Sequence, residues 1–307
     1  MNNNIITGVK GFVAGNLKKY LIFRNKQVIG VSRIPLYEDL GYDEISIDIM
    51  NKSKSFIHLA GKAHDLKRTL EAKDYFKVNT ELTKSLFDQF LISDCKVFIY
   101  MSSVKAVADV VDGVLTEDVV SNPISVYGKS KLAAEIYILS KKIPDNKRVY
   151  ILRPCMIHGP MNKGNLNLLY NFVSSRVPWP LGAFNNQRSY CSVENLLFII
   201  KELIENKAIQ SGIYNVSDDK PLSTNKVILL IAKSLERNHL ILKFPVNLVR
   251  LLSRLGDIIK LPLNSENLKK LTESYVVCNK KIIQAIGKKL PIRSEEGMLK
   301  TFESFNK

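Results

Sequence analysis

The chain has 307 residues, 46% hydrophobic and 24% charged, the balance of a soluble globular protein with room for a large core. That apolar fraction excludes disorder as the dominant state. Lysine and arginine number 45 against 29 acidic residues, a net charge of +16. Such an excess favours anionic partners: phosphorylated small molecules, nucleic acid or acidic membrane surfaces.

Cys95, Cys155, Cys191 and Cys278 lie too far apart for a metal or redox pair and read as structural thiols in a reducing compartment. Met1–Asn4 runs straight into Ile5 with no basic flank, so no secretory leader is expected and a cytoplasmic location follows. The apolar stretches are too short or too interrupted by charge to span a bilayer.

Short β-type runs alternate with helical patterns through the first half. Val28–Val31, Ile45–Asp48, Phe56–Leu59 and Val97–Met101 read as buried parallel strands, and Val149–Arg153 as a further one stopped by Pro154. Helical spacing spans Thr80–Phe90 and Lys129–Leu139. Alternation of this kind predicts βαβ units and a doubly wound α/β sheet. Beyond residue 160 the breaker clusters Gly159-Pro160 and Val177–Gly182 mark loops. A helix is expected from Val193 to Asn206, a strand from Gly212 to Val216, and a helix capped by Ser223 through Leu235. Short helices fill the remainder. The predicted organisation is a cofactor domain over 1–160, with 187–217 returning to it. A smaller, mostly helical substrate lobe comprises 161–186 and 218–307.

The first strand ends in Thr7-Gly8-Val9-Lys10-Gly11-Phe12-Val13-Ala14-Gly15. Glycines between a strand and a helix allow a tight turn and close approach of backbone to a pyrophosphate at the helix N-terminus. This Thr-Gly-x-x-Gly-x-x-Ala resembles the fingerprint of extended short-chain dehydrogenases/reductases, the nucleotide-sugar epimerase and dehydratase group, with Ala14 for the third glycine. The resemblance implies a Rossmann sheet and an NAD(P) cofactor lined by Gly8, Gly11, Phe12 and Val13. It also implies cofactor contacts from Asp48 and Ile49 near the adenine, from Leu59 and Ala60 in His58-Leu59-Ala60-Gly61, and from Pro154. No acid follows Val31-Ser32, where one would bond the ribose of NAD. Arg33 stands there instead and suits a 2′-phosphate, which favours NADP(H). A solvent-facing arginine is the plainer alternative.

Tyr127 and Lys131 form a Tyr-x-x-x-Lys pair one helical turn apart. An ammonium near a phenol stabilises phenolate and lowers its pKa, which suits proton exchange with a sugar hydroxyl. Chance alone supplies about one such pair in a chain this rich in lysine. A second, Tyr137 with Lys141, reads as helix surface. Only Tyr127 carries the family's Tyr-Gly-x-Ser-Lys-x-x-x-Glu form, completed by Ser130 and Glu135. The resemblance makes Ser103 the catalytic serine and a substrate contact, and makes Asn79 the helix asparagine that supports the lysine. His58 reads as structural, and His64 as a residue lining the substrate cleft.

In the second half, Arg153-Pro154-x-x-x-His158-Gly159-Pro160 resembles the family's Arg-Pro-x-x-x-Tyr-Gly-Pro, with His158 for tyrosine. Gly164-Asn165 and Pro180-Leu181-Gly182-Ala183…Arg188-Ser189 resemble its substrate segments. They imply that Asn165 and Arg188 bind a nucleotide-sugar diphosphate. Val104-Lys105 follow Ser103 where 4,6-dehydratases carry an Asp-Glu pair, so dehydration is disfavoured. Ser-Ser-Val-Lys is similar to a bacterial surface-polysaccharide branch of UDP-N-acetylhexosamine 4-epimerases and UDP-4-keto-6-deoxy-sugar reductases. A C4 epimerase and a 4-keto reductase remain open. The rival reading is a binding protein of the same fold without catalysis.

The lysines are scattered without interleaved aromatics, so nucleic acid is not expected as a partner. Residues 244–263, with Val246, Val249, Leu252, Leu255 and Ile259 beside Arg250, Arg254 and Lys260, admit either weak peripheral membrane association or a helix covering the core. A homodimer is also open.

Overall fold

The structure is a computed structural model that describes residues 3–63, 71–162, 164–259 and 264–306. Its strands are β1 (Asn3–Thr7), β2 (Gln27–Val31), β3 (Ser53–His58), β4 (Val97–Met101), β5 (Val114–Leu115), β6 (Arg148–Pro154), β7 (Met156–His158), β8 (Tyr190–Ser192), β9 (Gly212–Val216) and β10 (Val276–Val277). Around them run α1 (Phe12–Ile22), α2 (Ile47–Asn51), α3 (Ala72–Phe76), α4 (Leu82–Ile92), α5 (Val126–Leu139) and α6 (Asn165–Ser174). Then follow α7 (Val193–Glu205), α8 (Thr224–Ser234), α9 (Val246–Ile259), α10 (Ser265–Thr272), α11 (Lys280–Ile286) and α12 (Ser294–Glu303).

Six strands form one parallel sheet in the order β2-β1-β3-β4-β6-β9. Thr7 lies between Val31 and His58 in register, His58 opposite Tyr100, and Met101 opposite Leu152. All five residues of β4 are buried, as expected of an unalternating apolar run covered on both faces. The chain leaves β1 towards β2 and returns on the other side at β3. This reversal opens a crevice beyond the C-terminal ends of the two strands, where open α/β sheets hold ligands.

Leu17, Leu21, Leu196, Ile200 and Leu203 of α1 and α7 cover one face of the sheet. Leu86, Phe87 and Phe90 of α4, with Ala134 and Ile138 of α5, cover the other. A separate apolar cluster joins Trp179, Leu181, Ile228, Ile231, Met298 and Phe302, outside the sheet.

Ile45–Asp48 does not form the expected strand. Ser46 caps α2, its Oγ accepting the Ile49 N–H at 3.3 Å, and Asp48 sits in the first turn. Local capping by serine, with an acid at the helix N-terminus, outweighs the alternating pattern. The sheet edge beside β2 is taken by Leu40 instead. Its N–H donates to Gly30 at 2.8 Å, and its carbonyl accepts from Ser32 at 3.0 Å.

Candidate functional site

The glycine turn lies at the crevice. Gly8 has φ +74°, a left-handed conformation that glycine adopts without strain, and a Cβ there would come within 2.9 Å of Ala60 Cα. Gly11 is the N-cap of α1, with no side chain capping it and no acid in the first turn. The first-turn amides of an eleven-residue helix are therefore open to an anion, and the missing Cβ leaves the backbone within reach of it. Phe12 and Val13 pack partly buried against the adjoining core.

A chain of hydroxyls fixes the crevice floor. Thr7 Oγ1 accepts the N–H groups of both Leu59 and Ala60 at 3.2 Å and meets His58 Nδ1 at 2.7 Å. His58 Nε2 meets Thr83 Oγ1 at 3.0 Å, and Thr83 in turn donates to the Asn79 carbonyl at 2.8 Å. The Thr83 proton is committed to that carbonyl, so Thr83 accepts from His58 Nε2–H. His58 Nδ1 is then the acceptor for Thr7. Burial, with Lys131 nearby, pushes the His58 pKa down to about 3, so the ring is neutral. His58 is a structural link.

Asn79 lies buried in a π-helical turn, Lys77–Glu81, between α3 and α4. A π turn widens the helix and here sets the Asn79 side chain against two elements at once. Its Nδ2 donates to Lys62 O at 3.0 Å and to Ser130 Oγ at 2.9 Å, while Oδ1 accepts the Lys62 N–H at 2.8 Å.

Tyr127 opens α5, whose N-cap Ser125 accepts the Gly128 N–H. Lys131, one turn on, is buried and donates to the Met101 carbonyl at the end of β4 at 2.8 Å. Ser103 follows two residues beyond Met101 and caps a short 3-10 turn. The three residues thus converge on one strand end. Burial holds the Tyr127 phenol above its usual pKa. The Ser103 hydroxyl facing it pulls the value down, and Tyr75 pushes it up. Tyr75 meets Tyr127 edge-on with centroids 6.5 Å apart, a neighbour that the motif reading passed over. Burial lowers Lys131 to about 8, with Glu135 opposing. The expected depression of Tyr127 by the lysine is absent from this arrangement, because the ammonium is turned to Met101.

A cationic pair lies beyond Ser103. Lys105 donates to Asp109 O at 2.7 Å and stands 4.3 Å from the centroid of the Tyr275 ring. Burial lowers its pKa; Asp109 and Glu273 oppose this, while Arg188 and Lys269 add to it. The Arg188 main chain is clamped to Leu222 by two hydrogen bonds, and its Nε is buried without a partner. Among the described residues neither Lys105 nor Arg188 is in an ion pair with a carboxylate. Two cations without an ion-pair partner among the described residues, near enough to act on each other, suit a multiply charged anion.

Other expected residues are less central. Arg33 is exposed after β2 and Asp48 is exposed in α2, while Ile49 is half-buried. Pro154 ends β6 opposite Val216. Asn165 is exposed at the start of α6 and shares no hydrogen bond with the Ser103–Tyr127 group among the described residues. His64 lies outside the described residues. His158, where the family has tyrosine, is buried between Thr301 Oγ1 at 2.9 Å and Asp218 Oδ2 at 3.2 Å and ties β7 to α12. No cluster able to hold a metal occurs among the described residues. The cysteines are free.

A sheet of this topology, with an open glycine turn at its reversal point, defines a class of dinucleotide-using enzymes. Comparison with known proteins narrows the class. Residues 4–217 match the NAD dependent epimerase/dehydratase family, and the chain is an enzyme belonging to that family. It is 28% identical over 321 residues to the UDP-glucose 4-epimerase of Vibrio cholerae, across 98% of this chain and 94% of that protein. It is 26% identical over 249 residues to the N-acetyl-alpha-D-glucosaminyl-diphospho-ditrans,octacis-undecaprenol 4-epimerase of Escherichia coli O157:H7, across 77% and 74% of the two chains. Among solved structures, MoeE5 in complex with UDP-glucose and NAD shares the fold, with a TM-score of 0.75 at 18% identity over 99% and 98% of the chains. The bare α1 N-terminus and the left-handed Gly8 fit the pyrophosphate of NAD.

Proposed function

We propose that this enzyme is a nucleotide-sugar C4 oxidoreductase, an epimerase or a 4-keto reductase. Its substrate in this reading is a UDP-sugar of the N-acetylhexosamine or 6-deoxy kind, used for surface polysaccharide. The observation that carries it is the convergence of Ser103, Tyr127 and Lys131 at the end of β4, beside the glycine turn. In this reading residues 1–160 with 187–217 hold the dinucleotide, and 161–186 with 218–307 cover the sugar.

The bound dinucleotide supplies hydride exchange at its nicotinamide. Tyr127 carries the proton at O4 of the sugar, and Ser103 hydrogen-bonds the same oxygen and orients it. With its pKa near 8, Lys131 is largely an ammonium at neutral pH, and in this reading it eases formation of phenolate once bound ligand turns it from Met101 towards Tyr127. Burial keeps Tyr127 a phenol at rest, the form that protonates a ketone. Asn79 and Ser130 position the helix carrying Tyr127 and Lys131. Arg188 and Lys105 take the diphosphate. Val104 and Lys105 offer no carboxylate for the elimination a dehydratase performs.

The two relatives named as 4-epimerases favour epimerisation. The exposed Arg33 and the lack of an acid after β2 support the second reading, an NADPH-dependent reductase. Denaturing the purified protein and assaying the released dinucleotide separates them: tightly held NAD⁺ marks the epimerase, and NADPH consumption with a 4-keto sugar marks the reductase. In either case Tyr127→Phe is expected to lower kcat by about a thousandfold while the dinucleotide still binds. Full activity in that variant would rule the proton transfer out, and binding of dinucleotide without turnover in the unaltered protein would favour a non-catalytic relative.

A further inference from the structure

We propose that α9 docks this enzyme on an anionic phospholipid surface. The helix buries its small side, Val249, Ser253 and Gly256, against the helical lobe. Its large aliphatic residues face away: Leu248, Leu251, Leu252, Leu255, Ile258 and Ile259 are 45 to 77% exposed. At about 100° per residue these six form one stripe about 120° wide, roughly a third of a turn from the buried side. Single exposed leucines are ordinary on a protein surface, but a continuous stripe of this length marks a contact.

The charges beside the stripe choose the occupant. Arg250 and Arg254 lie along the outer flank, exposed, and neither has an ion-pair partner among the described residues. The one acid of the helix, Asp257, is engaged by the Ser265 N–H at 2.9 Å and its hydroxyl at 2.6 Å. Lys243 is exposed just before the helix, on a chain whose net charge is +16. A second copy would bring the same arginines and the same sign of charge to the stripe. A phospholipid bilayer offers the complement: acyl boundary for the leucines and phosphates for the guanidinium groups. No helix among the described residues is long and apolar enough to cross a membrane, so α9 lies along the surface. It packs on α10, and the carbonyls of Leu271 and Glu273, at and after the end of α10, sit 3.4 Å from Asn186 Nδ2. Asn186 is two residues from Arg188, so docking through α9 places the candidate anion site beside the bilayer.

The test is flotation of the full chain with phosphatidylcholine vesicles, with and without a quarter of phosphatidylglycerol. Substrate is left out, so the result is independent of the proposed reaction. The unaltered protein is expected to float with the anionic vesicles and to be released by salt. Leu251→Glu with Leu255→Glu, and separately Arg250→Glu with Arg254→Glu, are expected to lower partitioning at least tenfold. Both pairs are exposed, so thermal melting is expected to stay unchanged and to exclude misfolding as the cause. Failure of the unaltered protein to float at low salt overturns the proposal. So does flotation of the leucine variant at the unaltered level. Conversion of a dimer into a monomer by that variant, seen by sedimentation, also overturns it and assigns the stripe to a second copy.

Discussion

Lys131 donates to the main-chain carbonyl of Met101 across 2.8 Å, from a side chain only 4% exposed. That contact anchors the turn leading to Ser103, yet it leaves a buried cation with no carboxylate in ion-pair distance among the described residues. Burial therefore lowers the lysine from its ordinary 10.5 to about 8. Below pH 8 the lysine is charged in both the folded and unfolded states, and the folded state bears the whole penalty. Between about 8 and 10.5 the unfolded chain holds the proton that the folded chain has released, so stability rises with pH in that window. The gain attributable to Lys131 is on the order of 3 kcal/mol. Urea unfolding of the unaltered protein and of Lys131→Met across this range checks it: the difference between the two curves is expected to move in favour of the unaltered protein as pH rises. Activity lost through deprotonation of Lys131 would run the opposite way, falling as pH rises above about 8.

Gly61 makes room for that lysine. A Cβ at this position would lie 3.0 Å from Lys131 Nζ and 3.1 Å from Asn79 Oδ1. Gly61→Ala is expected to push the ammonium off Met101 and to lower kcat at least tenfold, because a catalytic group displaced by an ångström loses much of its effect. Unfolding free energy is expected to drop by only about 1 kcal/mol. Steady-state kinetics alongside urea unfolding separates the two effects. A large stability loss with unchanged kcat would sink the idea that Gly61 serves the lysine.

Glu135 lies one turn beyond Lys131 and holds Arg153 through bonds of 3.0 and 3.1 Å from Nε and 2.5 Å from Nη2. Ser102 Oγ donates to the same carboxylate. Both ends of the pair are buried, so removal of one leaves an uncompensated charge. Glu135→Gln is expected to cost about 3 kcal/mol in urea unfolding. Pairing Glu135→Leu with Arg153→Met is expected to cost less than the two single changes added together, because each single change strands its partner. Simple additivity would show that the ion pair is not coupled.

Much of this site was legible before any coordinates. The glycine turn, the strand end carrying Ser102-Ser103 and the helix from Val126 each carry local signals: a breaker, a buried apolar run and a capping serine. Those signals act within a few residues, and tertiary packing did not override them. β9 and α8 fell where periodicity and Ser223 placed them. The strand expected at Ile45–Asp48 failed for the same local reason, since Ser46 caps a helix more strongly than alternation specifies an edge strand. Contacts between distant segments were not legible. Tyr75 against Tyr127, Lys105 over Tyr275, and His158 between Thr301 and Asp218 join residues 52, 170 and 143 positions or fewer apart, and no spacing rule reaches that far. The direction of Lys131 towards Met101 depends on burial, which a motif does not encode.

His58 gives a second linkage of the same sign as that of Lys131, in a lower pH window. It stays neutral between Thr7 and Thr83, and its pKa falls from the ordinary 6.5 to about 3. Above pH 6.5 neither state binds the proton. Between about 6.5 and 3 the unfolded chain takes it up and the folded chain does not, so stability is lost as pH falls through that range. The shift corresponds to a loss on the order of 4 kcal/mol by the acid end. His58→Gln retains an acceptor for Thr7 and a donor for Thr83 but cannot titrate. It is expected to be less stable than the unaltered protein at neutral pH, through imperfect packing, yet to show a flatter decline towards acid. Urea unfolding at several pH values from neutral to mildly acidic measures both slopes. Parallel slopes would show that the imidazole titrates alike in the folded and unfolded chains and would overturn the linkage.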